Sequence, residues 1–172
     1  MAGGLGSRLM PLTEKVPKPL LKIGDKAIID HNIDRLQKFG IDDYWISVRY
    51  LGEQLEAHYG KGEDRNINIK YLWEDEPLGT IGAVGNIKDF QNEYVLVTNS
   101  DILTNLDYED FFLDFIEKDA DMSVVTIPYS VDIPYAVMDI EDNRVRSFME
   151  KPTYTYYSNG GIYLIKKKIL DK

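Results

Sequence analysis

Short apolar runs alternate with amphipathic segments along the chain. Residues 20–23 read as a short extended piece. In residues 27–39, Ile29, Ile33 and Leu36 repeat at i, i+4 and i+7, which predicts a helix that Gly40 can end. Residues 44–49 (YWISVR) and 67–73 (INIKYLW) read as strands, with a short helix at 53–59 between them. A helix is expected over 80–88, opening after Gly79. Residues 94–98 (YVLVT) are wholly apolar, the pattern of a strand covered on both faces of a parallel sheet. Asp107 is placed to cap a helix over 108–118 with Phe111, Phe112 and Phe115 inward. Residues 122–127 (MSVVTI) form a buried strand. Residues 135–140 and 145–149 then suggest a hairpin around Asp142-Asn143, and 161–166 (GIYLIK) a last strand. The alternation predicts a three-layer, doubly wound α/β fold with a mixed, mostly parallel sheet and a late β-hairpin, in one domain spanning 1–172. Its ligand crevice should lie at the carboxyl ends of the strands, where Asn99-Ser100-Asp101 falls.

Composition narrows the function. A net charge of -9 disfavours nucleic acid as a partner, because phosphate backbones need basic surface. No apolar run approaches the length of a membrane span, so no membrane partner is expected. The chain has no cysteine and no apolar stretch after Met1 of the kind that marks a secretory signal, which suits the cytoplasm. His31 and His58 have no matched partners in sequence and read as structural or surface residues. Trp45 and Trp73 read as packing residues, and the acidic groups at 42–43, 74–76 and 139–142 as solvated loop ends, Glu74 excepted.

One local concentration of chemistry stands against this acidic background. Gly3-Gly4-Leu5-Gly6 is followed by Arg8 and then by Pro17-Lys18-Pro19. Glycines let backbone N–H groups approach an anion closely, and Arg8 and Lys18 add fixed positive charge. The segment reads as a polyphosphate site. It is neither a P-loop, since no Gly-Lys-Ser/Thr follows, nor a G-x-G-x-x-G fingerprint.

GGLGSRLMPLT…PKPLLKI resembles the signature of the sugar-1-phosphate nucleotidylyltransferases, closest in type to the mannose-1-phosphate guanylyltransferases. PLGTIGAVG at 77–85, VTNSDIL at 97–103, EKP at 150–152 and NGGIYL at 159–164 resemble further segments of the family, in order and across nearly the whole chain. The resemblance implies the Rossmann-like nucleotide-diphospho-sugar transferase fold. It implies transfer of a nucleoside monophosphate from a nucleoside triphosphate (NTP) to a sugar 1-phosphate, releasing pyrophosphate. The nucleophile is a phosphate with a second pKa near ~6, already largely ionised, so no general base is needed. The difficulty is bringing one anion up to another, and catalysis should be positioning plus charge neutralisation.

The resemblance also implies roles. Ala2, Gly3, Gly4 and Gly6 would wrap the nucleotide, with Gly79 and Thr80 of the PLGT segment. Arg8 would stabilise the leaving pyrophosphate, and Lys18 would bridge the α-phosphate and the incoming phosphate. Asp101 would bind Mg²⁺, a hard cation suited to carboxylate and phosphate oxygens. Lys151 would neutralise the sugar phosphate, while Glu150, Asn159 and Gly160 would hold the sugar. Glu74 stands where the family reads the base. Guanine offers two adjacent donors that a carboxylate can accept as a pair, whereas uracil and thymine suit an amide better, so Glu74 favours GTP.

UTP- or dTTP-dependent transfer is the alternative within the class. A catalytically silent nucleotide-sugar-binding regulatory protein is the alternative outside it, and a homo-oligomer is compatible with either. Family members carry a hydrophobic strand directly before the glycine turn and a second metal-binding aspartate downstream of NGGIYL. Neither is found between Met1 and Lys172, so the expectation is a catalytic domain lacking its first strand and its C-terminal part, weak or inactive alone.

Overall fold

A computed structural model describes residues 2–4, 6–76, 78–88 and 90–170. Leu5 of the glycine turn and Pro77 of the PLGT segment lie outside these residues. The chain forms two compact units, Met1–Ser123 with Gly161–Lys172, and Val124–Gly160.

The first unit opens with 3-10 turns at Ser7–Leu9 and Lys18–Leu20. Strands β1 (Lys22–Ile23) and β2 (Lys26–Ala27) pair antiparallel and lead into α1 (Ile28–Lys38). There follow β3 (Asp43–Val48), α2 (Gly52–Tyr59) and β4 (Asn68–Trp73). Next come α3 (Gly79–Gly82), β5 (Tyr94–Thr98) and α4 (Tyr108–Glu117). Strand β6 (Met122–Asp132) runs into the second unit, which holds β7 (Val137–Glu141) and β8 (Arg144–Met149). Strand β9 (Thr153–Lys166) returns to the first unit, where α5 (Lys167–Leu170) follows.

The α1 stripe behaves as its spacing requires. Ile29, Ile33 and Leu36 are all buried. Ile29 and Ile33 join Ile46 and Val48 of β3, Leu55 and Tyr59 of α2 and Ile69 of β4 in one core cluster. Gly40, with φ 75°, ends the helix: its N–H donates to the Gln37 carbonyl and that of Ile41 to the Leu36 carbonyl. This is the left-handed stop that glycine makes without a Cβ clash. At the other end, the Asp30 carboxylate accepts the Ala27 N–H at 3.3 Å and the Tyr59 hydroxyl at 2.7 Å, and Arg65 pairs with it at 2.6 Å. Burial, then that bond to Asp30, holds the Tyr59 phenol well above its ordinary pKa, so it stays a donor.

β3 and β4 are parallel, in register from Asp43↔Asn68 to Val48↔Trp73. The apolar β5 pairs antiparallel with β9, from Tyr94↔Lys166 to Thr98↔Ile162, and the strand order there is β5-β9-β6. An apolar run reports burial on two faces but not the direction of its neighbour, which depends on how the chain returns. Asp107 caps α4, accepting the N–H groups of Glu109 and Asp110 at 3.0 and 3.1 Å. Of the three phenylalanines expected inward, only Phe115 is fully buried, and Phe112 stays 37% exposed. Phe112 lines a cavity of about 860 Å³ with Tyr44 and Ile46 of β3, Val95 and Val97 of β5, and Ile29 of α1. The helix expected over 80–88 is only the single turn α3 and a 3-10 turn at Ala83–Asn86. Gly82 and Gly85 lower helix propensity there, and Ile87 is extended.

In the second unit β7 and β8 form the expected hairpin, with Asp142 and Asn143 both at positive φ, as a two-residue hairpin turn requires. β6 and β9 are longer than their apolar cores. Ser130 meets Thr155 at 3.0 Å, Thr153 donates to Asp132 at 2.7 Å, and Ser158 to the Ile127 carbonyl at 3.0 Å. The strand expected at 161–166 therefore begins earlier, at Thr153, because β-prone Thr and Tyr residues find a partner in β6.

The α1 stripe carries a direct test. Ile33→Ala should lower the unfolding free energy by about 2–5 kcal/mol, measured as a shift of the urea midpoint at constant slope.

Candidate active site

The carboxyl ends of β3, β4 and β5 hold the chemistry. Ala2 donates its N–H to the Ser47 carbonyl at 2.9 Å near the end of β3, which anchors the glycine turn to the sheet. Gly6 then adopts φ 62°. A Cβ there would come within 2.8 Å of the Thr13 side chain, so only glycine fits. Thr13, fully buried, donates to the Gly6 carbonyl at 2.9 Å and locks the turn onto the segment that follows. Lys18 opens the Lys18–Leu20 turn between Pro17, at φ -64°, and the buried Pro19. The prolines restrict the backbone on either side of the lysine.

A cleft of about 320 Å³ is lined by Ala2, Gly3, Gly4, Gly6, Lys18, Glu74, Gly79 and Asp101, together with Pro19, Ser47, Asn99 and Ser100. Residues from five separate stretches of sequence thus share one cleft. Within it the Lys18 ammonium is in direct ion-pair contact with the Asp101 carboxylate. Both side chains are part-exposed, at 35% and 26%, so the pair is open to exchange with an incoming charged ligand.

Glu74 follows β4 and its N–H donates to the Val48 carbonyl at 3.0 Å. One of its carboxylate oxygens accepts the Ser47 hydroxyl, and the other lies 3.4 Å from the Leu78 N–H. A carboxylate offers about four acceptor positions, so two remain for a ligand. Gly79, with φ 75°, makes the bend into α3. Thr80 belongs to α3, and its side chain lies outside the described part.

Arg8 sits exposed in the Ser7–Leu9 turn and does not line the cleft. Glu150, Lys151, Asn159 and Gly160 belong to the second unit. Glu150 and Lys151 are exposed beyond β8, with Lys151 at φ 43°. Gly160 is needed for close approach, since a Cβ would lie 2.7 Å from the Val125 carbonyl oxygen. In the first unit, Gly161 at φ 74° performs a similar service for Asn99: a Cβ would come within 2.6 Å of its amide.

Two residues with no sequence motif support the cleft. Buried Asn32 donates to the Ser100 carbonyl at 3.0 Å, tying α1 to the turn that carries Asp101. Its signal was a polar residue on the apolar face of α1. Ser47, buried near the end of β3, holds Glu74 by its hydroxyl and the glycine turn by its carbonyl. Nothing local marks it, because its role depends on the register of β3 against β4.

Among the described residues no group of three or more His, Cys, Asp or Glu side chains could hold a metal ion. Asp101 supplies one hard carboxylate beside a glycine-lined cleft. That donor set fits Mg²⁺ that completes its shell with phosphate and water oxygens, rather than an ion caged by protein alone. His31 and His58 serve the structure: His31 contacts the Ile23 carbonyl at 3.0 Å, and His58 packs edge-on to Tyr59.

The sequence profile of the nucleotidyl transferase family matches residues 1–172. The D-glycero-alpha-D-manno-heptose 1-phosphate guanylyltransferase of Aneurinibacillus thermoaerophilus is 32% identical over 99% of this chain and 75% of that protein. The mannose-1-phosphate guanyltransferase beta-B of Xenopus laevis is 31% identical, and there the chain spans only about half the relative's length (50%). Among solved structures, HddC from Yersinia pseudotuberculosis superposes with a TM-score of 0.73 at 30% identity, covering 99% of this chain and 76% of that one. HddC has also been solved complexed with GMP-PN. The chain belongs to the nucleotidyl transferase family and has the nucleotide-diphospho-sugar transferase fold.

Proposed function

We propose that this chain belongs to a Mg²⁺-dependent guanylyltransferase, which moves GMP from GTP to a sugar 1-phosphate and releases pyrophosphate. The observation that carries the reading is the single cleft in which the glycine turn, the Lys18–Asp101 pair and Glu74 meet. Relatives named as guanylyltransferases of mannose and heptose 1-phosphates support both the base and the sugar class.

The residues divide the work by charge. Backbone N–H groups around Gly3, Gly4 and Gly6 cradle the triphosphate. Arg8, exposed in the Ser7–Leu9 turn, reaches the pyrophosphate as it leaves. Lys18 turns from Asp101 to the α-phosphate and lowers the barrier to approach of the second anion. Asp101 is then free to hold Mg²⁺, which, when bound, offsets phosphate charge and favours departure of pyrophosphate. Glu74 accepts the guanine N–H pair, held in place by Ser47. Lys151 neutralises the sugar phosphate, and Glu150, Asn159 and Gly160 bind the sugar. Among the described residues no helix is long and apolar enough to cross a membrane. The reading places the enzyme in the cytoplasm with its nucleotide substrates and accommodates a homo-oligomer.

Pyrophosphate release with GTP and mannose 1-phosphate, by the natural protein in which this chain occurs, is the primary assay; GTP binding without release would overturn the reading. Lys18→Ala should lower kcat by about 10²–10³-fold, by analogy with loss of one preorganised charge-stabilising donor, while near-UV circular dichroism stays unchanged. Glu74→Gln should lower the GTP-to-UTP ratio of kcat/KM by at least about tenfold, since the amide offers a donor to guanine's donors. Chelation with EDTA should abolish turnover, and excess Mg²⁺ should restore it, whereas Zn²⁺ at the same activity should restore less.

A further inference from the structure

Beside Glu74 stands a second charged group, Arg49. β3 and β4 are in parallel register up to Val48↔Trp73, and the Glu74 N–H donates to the Val48 carbonyl at 3.0 Å. The next pair in that register is Arg49 and Glu74. Side chains alternate along a strand, so Arg49, one residue past β3, shares its face with Ser47. The Ser47 hydroxyl meets the Glu74 carboxylate, which puts all three residues on one face at the carboxyl end of the pair. Gly3 agrees with this placement: a Cβ on it would lie 3.4 Å from the Arg49 Cβ and 3.5 Å from Glu74 Oε1. Gly3 and Glu74 both line the cleft. The Arg49 side chain therefore leaves the backbone at the edge of the cleft, next to the carboxylate.

Opposite charges at directly opposed strand positions ordinarily pair with each other. Here the carboxylate is turned to the Ser47 hydroxyl and towards the Leu78 N–H. Among the described residues the Arg49 guanidinium has no hydrogen-bond or ion-pair partner. Its backbone is held, however. The Arg49 carbonyl lies 3.4 Å from the Gly52 N–H, and the neighbouring Tyr50 hydroxyl donates to the Glu14 carbonyl at 2.9 Å. A fixed backbone thus presents an uncommitted fork of donors beside a carboxylate with acceptor positions to spare.

Guanine has the matching edge. Its N2 and N1 donors are followed by the O6 and N7 acceptors. A carboxylate takes the donors, and an arginine fork takes the acceptors, the commonest specific arginine–base contact. Paired strands lie about 4.8 Å apart, so the two groups stand side by side on the scale of a purine edge. Adenine would turn its N6 amine, a donor, towards the guanidinium. We propose that Arg49 is a specificity-determining residue of the nucleotide cleft, donating to O6 and N7 of guanine while Glu74 accepts from N1 and N2. The proposal rests on the reading of Glu74 as the base-reading group and extends it: Glu74 separates guanine from uracil, and Arg49 separates guanine from adenine.

Equilibrium binding of GTP, 7-deaza-GTP, ITP and ATP to the natural protein in which this chain occurs tests it without turnover. 7-Deaza-GTP lacks only N7, and it should bind the wild-type protein at least about fivefold more weakly than GTP. Arg49→Met should weaken GTP by at least about tenfold, hold GTP and 7-deaza-GTP alike, and bring ATP closer to GTP. The wild-type comparison needs no variant and decides the matter if Arg49→Met fails to fold. ITP lacks the N2 amine and reports on Glu74 alone. If the wild-type protein binds ITP as tightly as GTP, the reading of Glu74 fails, while the 7-deaza comparison still decides Arg49. Equal binding of GTP and 7-deaza-GTP by the wild-type protein overturns the proposal. Weakening of GTP, 7-deaza-GTP and ATP by one common factor in Arg49→Met also overturns it, in favour of a phosphate contact.

Discussion

The parallel pairing of β3 with β4, with α1 and α2 packed against it, is the constraint from which the rest of the site follows. Ile29 and Ile33 of α1 bury against Ile46, Val48 and Ile69, and Leu55 of α2 closes the same cluster. Once those strands are in register, Ser47 and Val48 face opposite directions at one end of the pair. One takes the glycine turn and the other takes Glu74. A shift of one residue would exchange these directions and turn the apolar set outward, so burial of the core and geometry of the cleft are one requirement.

The second constraint is electrostatic. The protein is acidic overall, yet its cleft gathers a lysine, a carboxylate and several glycine N–H groups. The Lys18–Asp101 contact keeps both charges partnered at a part-exposed position, where the net worth of such a pair is small. A small binding energy suits a pair that, in the proposed reaction, must separate when a triphosphate enters. Asn32 keeps the Asp101 turn in place through Ser100, so the carboxylate can change partner without the backbone moving.

The legibility of the fold followed from how local each signal was. The α1 stripe, the Gly40 stop, the Asp107 cap and the Asp142-Asn143 turn all rest on interactions within a few residues, and each formed as read. Helix 80–88 was overestimated because Gly82 and Gly85 weaken it. The partner of β5, the length of β9 and the exposure of Phe112 depended on segments distant in sequence. In the cleft, Gly3, Gly4, Gly6, Lys18, Glu74 and Asp101 were legible from motifs, while Ser47 and Asn32 were not, since each acts through a neighbour only the fold supplies.

The sequence by itself determined the family, the α/β alternation and the chemical kinds of group present, because glycine turns, fixed charges and apolar periods are properties of short stretches. The tertiary structure alone decided which of those groups meet. It joined Lys18 to Asp101 across 83 positions and Ser47 to Glu74 across 27. It set the direction of β5's neighbour. Backbone pairing and core packing are satisfied only when the whole set of strands and helices is arranged together, and that arrangement is not written in any one segment.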